Sequence, residues 1–138
     1  LDFQKYLPQK CVFTSQFPCQ DFTLDYSGGS GEIKLKLVNS IGVMVEITSL
    51  EASNKESPKL GCTGVEIDDV PFSTPVDWSS GQEINIKFTG CEGGGYLKGE
   101  RVEAIITIEY RGYHDTDPIT MGPAHITKGR ITATVRGS

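Results

Sequence analysis

Residues 32–50 read Glu-Ile-Lys-Leu-Lys-Leu-Val-Asn-Ser-Ile-Gly-Val-Met-Val-Glu-Ile-Thr-Ser-Leu, and this stretch decides the fold class. Ile33, Leu35 and Leu37 point one way and Glu32, Lys34 and Lys36 the other. Asn39, Ser40, Ile41 and Gly42 then supply turn chemistry, after which Val43, Val45 and Ile47 resume the alternation. A period of two with lysine on the opposite face is the pattern of a sheet with one dry side and one wet side. The reading is two strands joined by a short hairpin connection. No catalytic group sits on them.

Working outward, the same period recurs. Phe22, Leu24 and Tyr26 alternate with Asp21, Thr23 and Asp25, and the run stops at the Gly-rich residues 27–31. Val65 and Ile67 mark a short strand ending near Pro71, and Ile84, Ile86 and Phe88 another. The longest spans residues 101–111, with Val102, Ala104, Ile106, Ile108 and Tyr110 on its dry face and Ile105 facing outward against the rule. Residues 119–135 close the chain as a strand interrupted near Gly122 and Pro123, with Ile131, Ala133 and Val135 inward. Residues 51–64, 72–81 (which carry Trp78, the sole tryptophan) and 112–118 read as turns or loops. Seven or eight strands at such spacing predict an antiparallel β-sandwich. The chain of 138 residues suits a single domain. Residues 1–20, aromatic and punctuated by proline, form an entry segment, and residues 21–138 the sandwich itself.

Cys11, Cys19, Cys62 and Cys91 contain no C-x-x-C, so neither a zinc nor a dithiol redox motif is present. Four cysteines allow three pairings. Spacing favours Cys11 with Cys19 as a local clip and Cys62 with Cys91 as a tie between two turn regions. On the loop-entropy account these contribute roughly 2.6 and 3.6 kcal/mol. Evenly paired cysteines in a small β domain point to an oxidising, extracytoplasmic setting. The chain contains no 18-residue apolar run and begins at Leu1, so the expectation is a domain processed or trimmed ahead of that residue.

A net charge of −5 argues against nucleic acid, which requires a basic face. His114, Asp115 and Asp117 suggest a metal, yet with Gly112 and Pro118 they are equally the residues of a turn. Glu66, Asp68 and Asp69 offer oxygens to calcium without EF-hand spacing. A copper site of the cupredoxin kind would draw on Met121, His125 and Cys91, but a disulfide at Cys91 removes the thiolate. No G-x-S-x-G occurs, and Gly93, Gly94 and Gly95 lack the Lys-Ser/Thr of a phosphate cradle. Trp78, Tyr96 and Tyr113 are candidate ligand contacts for a sugar ring, against the plainer reading of such aromatics as core or corner residues. No Asn-x-Ser/Thr sequon is present. The expectation is a non-enzyme with no cofactor and no metal.

The run Tyr6-Leu7-Pro8-Gln9-Lys10-Cys11, then Phe17-Pro18-Cys19-Gln20-Asp21-Phe22, then Leu35-Lys36-Leu37-Val38-Asn39-Ser40-Ile41-Gly42, resembles the head domain of archaeal type IV pilin-like proteins. Residues 127–135 and 105–110 resemble the closing strands of the same heads. In that family a class III signal peptide precedes an apolar helix of twenty or more residues, and a Leu-Pro-x-x-Cys element opens the ectodomain. The resemblance implies an immunoglobulin-like head on the outside of a cell-surface filament that serves attachment. It implies partnership with other copies of the chain through a helix upstream of Leu1, and membrane contact only through that helix before assembly. Phe3, Tyr6, Leu7 and the outward Ile105 are the candidate subunit contacts. The alternative is a secreted or surface-anchored module that recognises a glycan or protein through its loops, with Trp78 foremost.

Overall fold

The structure, a computed structural model, describes residues 9–27, 30–54, 62–73, 75–91, 101–113, 121–134 and 136–137. The chain begins with β1 (Lys10–Val12), β2 (Cys19–Ser27), β3 (Ser30–Val38) and β4 (Val45–Asn54). Four short or medium strands follow: β5 (Gly64–Ile67), β6 (Val70–Pro71), β7 (Val76–Trp78) and β8 (Glu83–Cys91). Two long ones, β9 (Arg101–Tyr113) and β10 (Met121–Thr134), lead to β11 (Arg136–Gly137). One sheet has the order β1-β10-β9-β4-β7 and the other β11-β2-β3-β8-β5-β6. All pairs are antiparallel except β11 with β2, which is parallel. The described residues hold eleven strands against the seven or eight expected, the additions being pieces of two or three residues at sheet edges.

Alternation explains why the two sheets meet. Ile33, Leu35 and Leu37 of β3, with Ile84, Ile86 and Phe88 of β8, form the dry face of one sheet. Ala104, Ile106, Ile108 and Tyr110 of β9, with Ile131 and Ala133 of β10, form the dry face of the other. They merge with Phe17, Leu24 and Trp78 into one buried cluster. Burial of such a cluster is the main favourable term in folding, at roughly 25 cal/mol per Å² of apolar surface. The entry segment is part of this body, because β1 pairs with β10 at Lys10↔Thr132 and Val12↔Arg130. Phe13 lies on Gly129, where any Cβ would collide with its ring.

The expected hairpin in residues 32–50 does not form. Strand β3 lies between β2 and β8 in one sheet, and β4 lies between β9 and β7 in the other. The connection is an arch from sheet to sheet. Asn39, fully buried, is the reason. Its Nδ2 donates to the carbonyls of Val43 and Trp78, both at 3.0 Å, and its Oδ1 accepts from Ile41 N–H at 3.0 Å. Its backbone N–H donates to Gln82 O at 3.1 Å and its carbonyl accepts from Gly81 N–H at 2.7 Å. Ser40 N–H donates to Gln16 O at 2.8 Å, so the polar groups at the bend find partners outside a hairpin ladder.

At the far edge, Asp68 and Asp69 have φ of 51° and 66° and join β5 to β6. Two left-handed residues in succession are what a two-residue hairpin turn demands. Asp68 pays little for that conformation, since its Oδ1 accepts from Asn85 N–H at 2.9 Å.

Both disulfides take the favoured pairing: Cys11 with Cys19 and Cys62 with Cys91. No described cysteine is free. The first joins β1 of one sheet to β2 of the other. The second closes the end of the β5–β8 ladder, next to Gly64↔Thr89.

One polar atom stands out in this interior. Thr127 on β10 is buried and its Oγ1 has no hydrogen-bond partner among the described residues. A buried hydroxyl without a partner forfeits its hydration for nothing. Thr127→Val keeps the β-branched shape and removes the orphan, and should stabilise the domain by about 1 kcal/mol. Thermal unfolding of the two proteins side by side measures this directly.

Candidate interaction surfaces

Trp78 is not a surface residue. It is 0% exposed and stacks on Phe17, with ring centroids 4.7 Å apart and an interplanar angle of 16°. Its Nε1–H donates to Gln82 O at 2.8 Å, so the indole's single polar group is satisfied inside. Phe17 meets Tyr110 edge to face at 5.0 Å, and Tyr110 Oη–H donates to Gln16 Oε1 at 3.2 Å. Trp78, Phe17 and Tyr110 are thus the corner beneath the arch, and the expectation of Trp78 as a ligand contact is corrected. The indole sits on β7, whose pairing with Val45 of β4 turns it inward. Tyr96, Phe3, Tyr6 and Leu7 lie outside the described residues, as does the side chain of Tyr113.

Burial raises the Tyr110 phenol above its usual pKa. A neutral phenol is therefore favoured by the fold, so its stabilising share is complete below the unfolded value near 10 and is lost as pH rises through the higher folded value. Tyr110→Phe should flatten the fall in stability as pH rises above the ordinary phenol value of about 10, at the cost of the Gln16 bond, worth about 1 kcal/mol at neutral pH. Urea melts at several pH values provide the check.

Ile105 lies on the outer face of its sheet, half-buried, opposite Ser53 on one side and Arg130 on the other. Arg130 Nε pairs with Glu103 Oε1 at 2.7 Å, which holds the arginine beside that isoleucine. The more exposed apolar residues are Val12, Val70 and Ile126, scattered over three elements.

On the wet face of the β2-β3-β8 sheet a shallow groove of about 330 Å³ is lined by Thr23, Lys34, Lys36, Asn85 and Lys87. Lys34 stands directly opposite Lys87. Like charges so placed repel, and each has a nearby carboxylate: Lys34 has Glu32 at 3.8 Å, Lys36 has Glu83 at 3.6 Å and Lys87 has Glu66 at 3.7 Å. Such exposed pairs contribute at most about 1 kcal/mol each. They leave no uncompensated cationic basin, so this face is a solvated sheet surface.

The carboxylates of Glu66, Asp68 and Asp69 are similarly engaged, Glu66 and Asp69 with Lys87 and Asp68 with Asn85. His125 packs its ring against Tyr110 at 5.5 Å, and Cys91 is in a disulfide. Among the described residues no group of three or more His, Cys, Asp or Glu is placed to hold a metal ion. His114, Asp115 and Asp117 lie outside them.

A second concavity has a different character. Where residues 48–54 of β4, which no described strand pairs on the β7 side, face β5 and β6, the two sheets border a concavity of about 600 Å³ lined by Leu50, Ala52, Val65, Phe72 and Phe88, with Glu51, Cys62 and Thr63 also on its wall. Leu50 and Ala52 point inward, because they pair with the buried Ile108 and Ile106, yet both stay half-exposed. Alternation in the sequence puts Ala52 in a loop over 51–64 and Leu50 off the Val43, Val45 and Ile47 face; β4 instead runs on to Asn54, and a register shift between Ile47 and Ser49 turns Leu50 and Ala52 inward.

Comparison with protein-family models and with curated proteins finds no match to the chain. No described helix is long and apolar enough to cross a membrane.

Proposed function

We propose that the chain is the head domain of a structural subunit in an extracellular, type IV pilus-like filament, non-enzymatic and serving surface attachment. The observation that carries this reading is the Cys11–Cys19 disulfide, which ties β1 in one sheet to β2 in the other at the point where the chain enters the sandwich. A subunit held in a filament by its N-terminal side receives all tension there. A covalent bridge between the sheets spreads that tension over both. The Leu7-Pro8-Gln9-Lys10-Cys11 entry motif places the bridge where the pilin-like resemblance leads one to expect it.

The order of the strands supports an immunoglobulin-like head. Strands β2-β3-β8-β5 against β4-β9-β10 follow the two four- and three-stranded sheets, A-B-E-D and C-F-G, of that architecture. The arch at Asn39 then occupies the B-to-C crossing. The glycan-binding alternative leaned on Trp78, which is buried. The coding sequence immediately ahead of Leu1 tests the proposal: it should encode an apolar helix of about 20 residues behind a short basic leader. A cleavable secretory signal joined directly to the head would overturn it.

A further inference from the structure

We propose that the outer face of the β1-β10-β9-β4-β7 sheet packs on the same face of a second copy, about a two-fold axis that runs along β9. The contact belongs to the head alone and does not rest on the filament reading.

Charge on this face is divided by strand. β1 and β10 carry Lys10, Lys128 and Arg130, and neither contains an Asp or Glu. β4 and β7 carry Glu46, Glu51 and Asp77, and neither contains a Lys or Arg. β9 lies between the two flanks and holds both signs. All six flank residues point outward, because each alternates with residues that are buried or packed against the core. Lys10, Lys128, Arg130, Glu51 and Asp77 are exposed. So are two apolar residues of the basic flank, Val12 at 58% and Ile126 at 65%.

A two-fold axis can lay such a face on its own copy in two ways. An axis across the strands sets every strand over itself, basic flank on basic and acidic on acidic. An axis along β9 exchanges the flanks and sets β10 of each copy over β4 of the other. Only the second is electrostatically complementary, and a two-fold contact makes each favourable pair twice.

Register names the pairs. Lys128 and Glu51 share one row of the sheet, each opposite Thr107 of β9. Exchange of flanks therefore brings Lys128 of each copy over Glu51 of the other. In the next row Ile105 lies between Arg130 and Ser53, so on the axis it meets its own counterpart. An outward isoleucine at that point supplies the apolar centre of the contact. Two carboxylates also fall near the axis, and both are already engaged within their own chain. Glu103 Oε1 pairs with Arg130 Nε at 2.7 Å, and Glu109 Oε1 accepts from Thr48 Oγ1 at 3.1 Å. Packed sheets cross at about 30°, which confines close contact to the stretch around Ile105 and Thr107. The rows shared by β10, β9 and β4 span about 15 Å by 30 Å, less than the roughly 800 Å² per partner of a standard interface, so the dimer is weak.

Charge exchange in the full chain tests this by sedimentation velocity. The unmodified protein should associate reversibly as far as a dimer, and less so as salt rises. Lys128→Glu or Glu51→Lys alone sets like charges against each other at both pairs and should weaken the dimer about tenfold or more. An equimolar mixture of the two variants should regain it, and so should one chain carrying both changes. Ile105→Cys puts a single thiol of each copy on the axis and should give a covalent dimer under mild oxidation, whereas Ser53→Cys, off the axis, should not. A chain that stays monomeric at millimolar concentration overturns the proposal. So does a doubly exchanged chain, folded by circular dichroism, that fails to regain association, or a dimer indifferent to Lys128→Glu.

Discussion

Asn39→Ala should be among the most damaging single substitutions in this domain. It deletes the side chain that donates to two carbonyls, Val43 O and Trp78 O, and accepts from Ile41 N–H. Leaving a buried carbonyl without its donor costs about 1–3 kcal/mol beyond the bond itself, a penalty that falls in full on Trp78 O and in part on the half-buried Val43 O. The expected loss is about 3–5 kcal/mol, a large part of the roughly 5–15 kcal/mol by which a domain is stable. In a thermal melt that corresponds to a fall of roughly 10–20 °C. Asn39→Asp separates geometry from volume. It keeps the shape but, when ionised, cannot donate to either carbonyl, so it should be destabilised at neutral pH at least as much as the alanine variant. A loss under about 1 kcal/mol for Asn39→Ala would mean that the arch is held by its backbone bonds to Gln82, Gly81 and Gln16 alone.

The second large effect is reduction of the disulfides. On the loop-entropy account the two bridges together contribute about 6 kcal/mol, comparable with the whole net stability of a small domain. The reduced chain should unfold at much lower denaturant than the oxidised one. Cys62→Ser with Cys91→Ser should account for more of the change than Cys11→Ser with Cys19→Ser, because the Cys62–Cys91 loop is longer, with a sequence separation of 29 against 8. Titration of the denatured, unreduced chain with a thiol reagent should find no free cysteine. Four free thiols would contradict both the bridges and an oxidising destination.

The β character, the dry faces and the cysteine pairing were legible in the sequence because each rests on local information. Ile33, Leu35 and Leu37 announce their face by a period of two, and so do Ala104, Ile106, Ile108 and Tyr110. Cys11 and Cys19 are close enough along the chain for a clip to be the economical reading. The arch was not legible. Asn-Ser-Ile-Gly satisfies the composition of a hairpin turn, and what diverts it is a bond from Asn39 to the carbonyl of Trp78, 39 residues away. Trp78 misled for the same reason. It sits among Pro75, Ser79, Ser80 and Gly81, residues that signal exposure, while the three-residue pairing of β7 with β4 turns the indole inward onto Phe17. Leu50 and Ala52 were not legible either, because the register shift between Ile47 and Ser49 reverses the alternation set by Val43, Val45 and Ile47, and the polar run that follows reads as a loop although β4 continues through it to Asn54.

The measurement that bears most directly on a filament subunit is electron microscopy of the full-length protein, expressed with its upstream segment in its own host and labelled through an antibody to this head. The account predicts label distributed along the length of surface filaments, at regular axial spacing. Label confined to single molecules on the cell surface, with filaments unmarked, would contradict it.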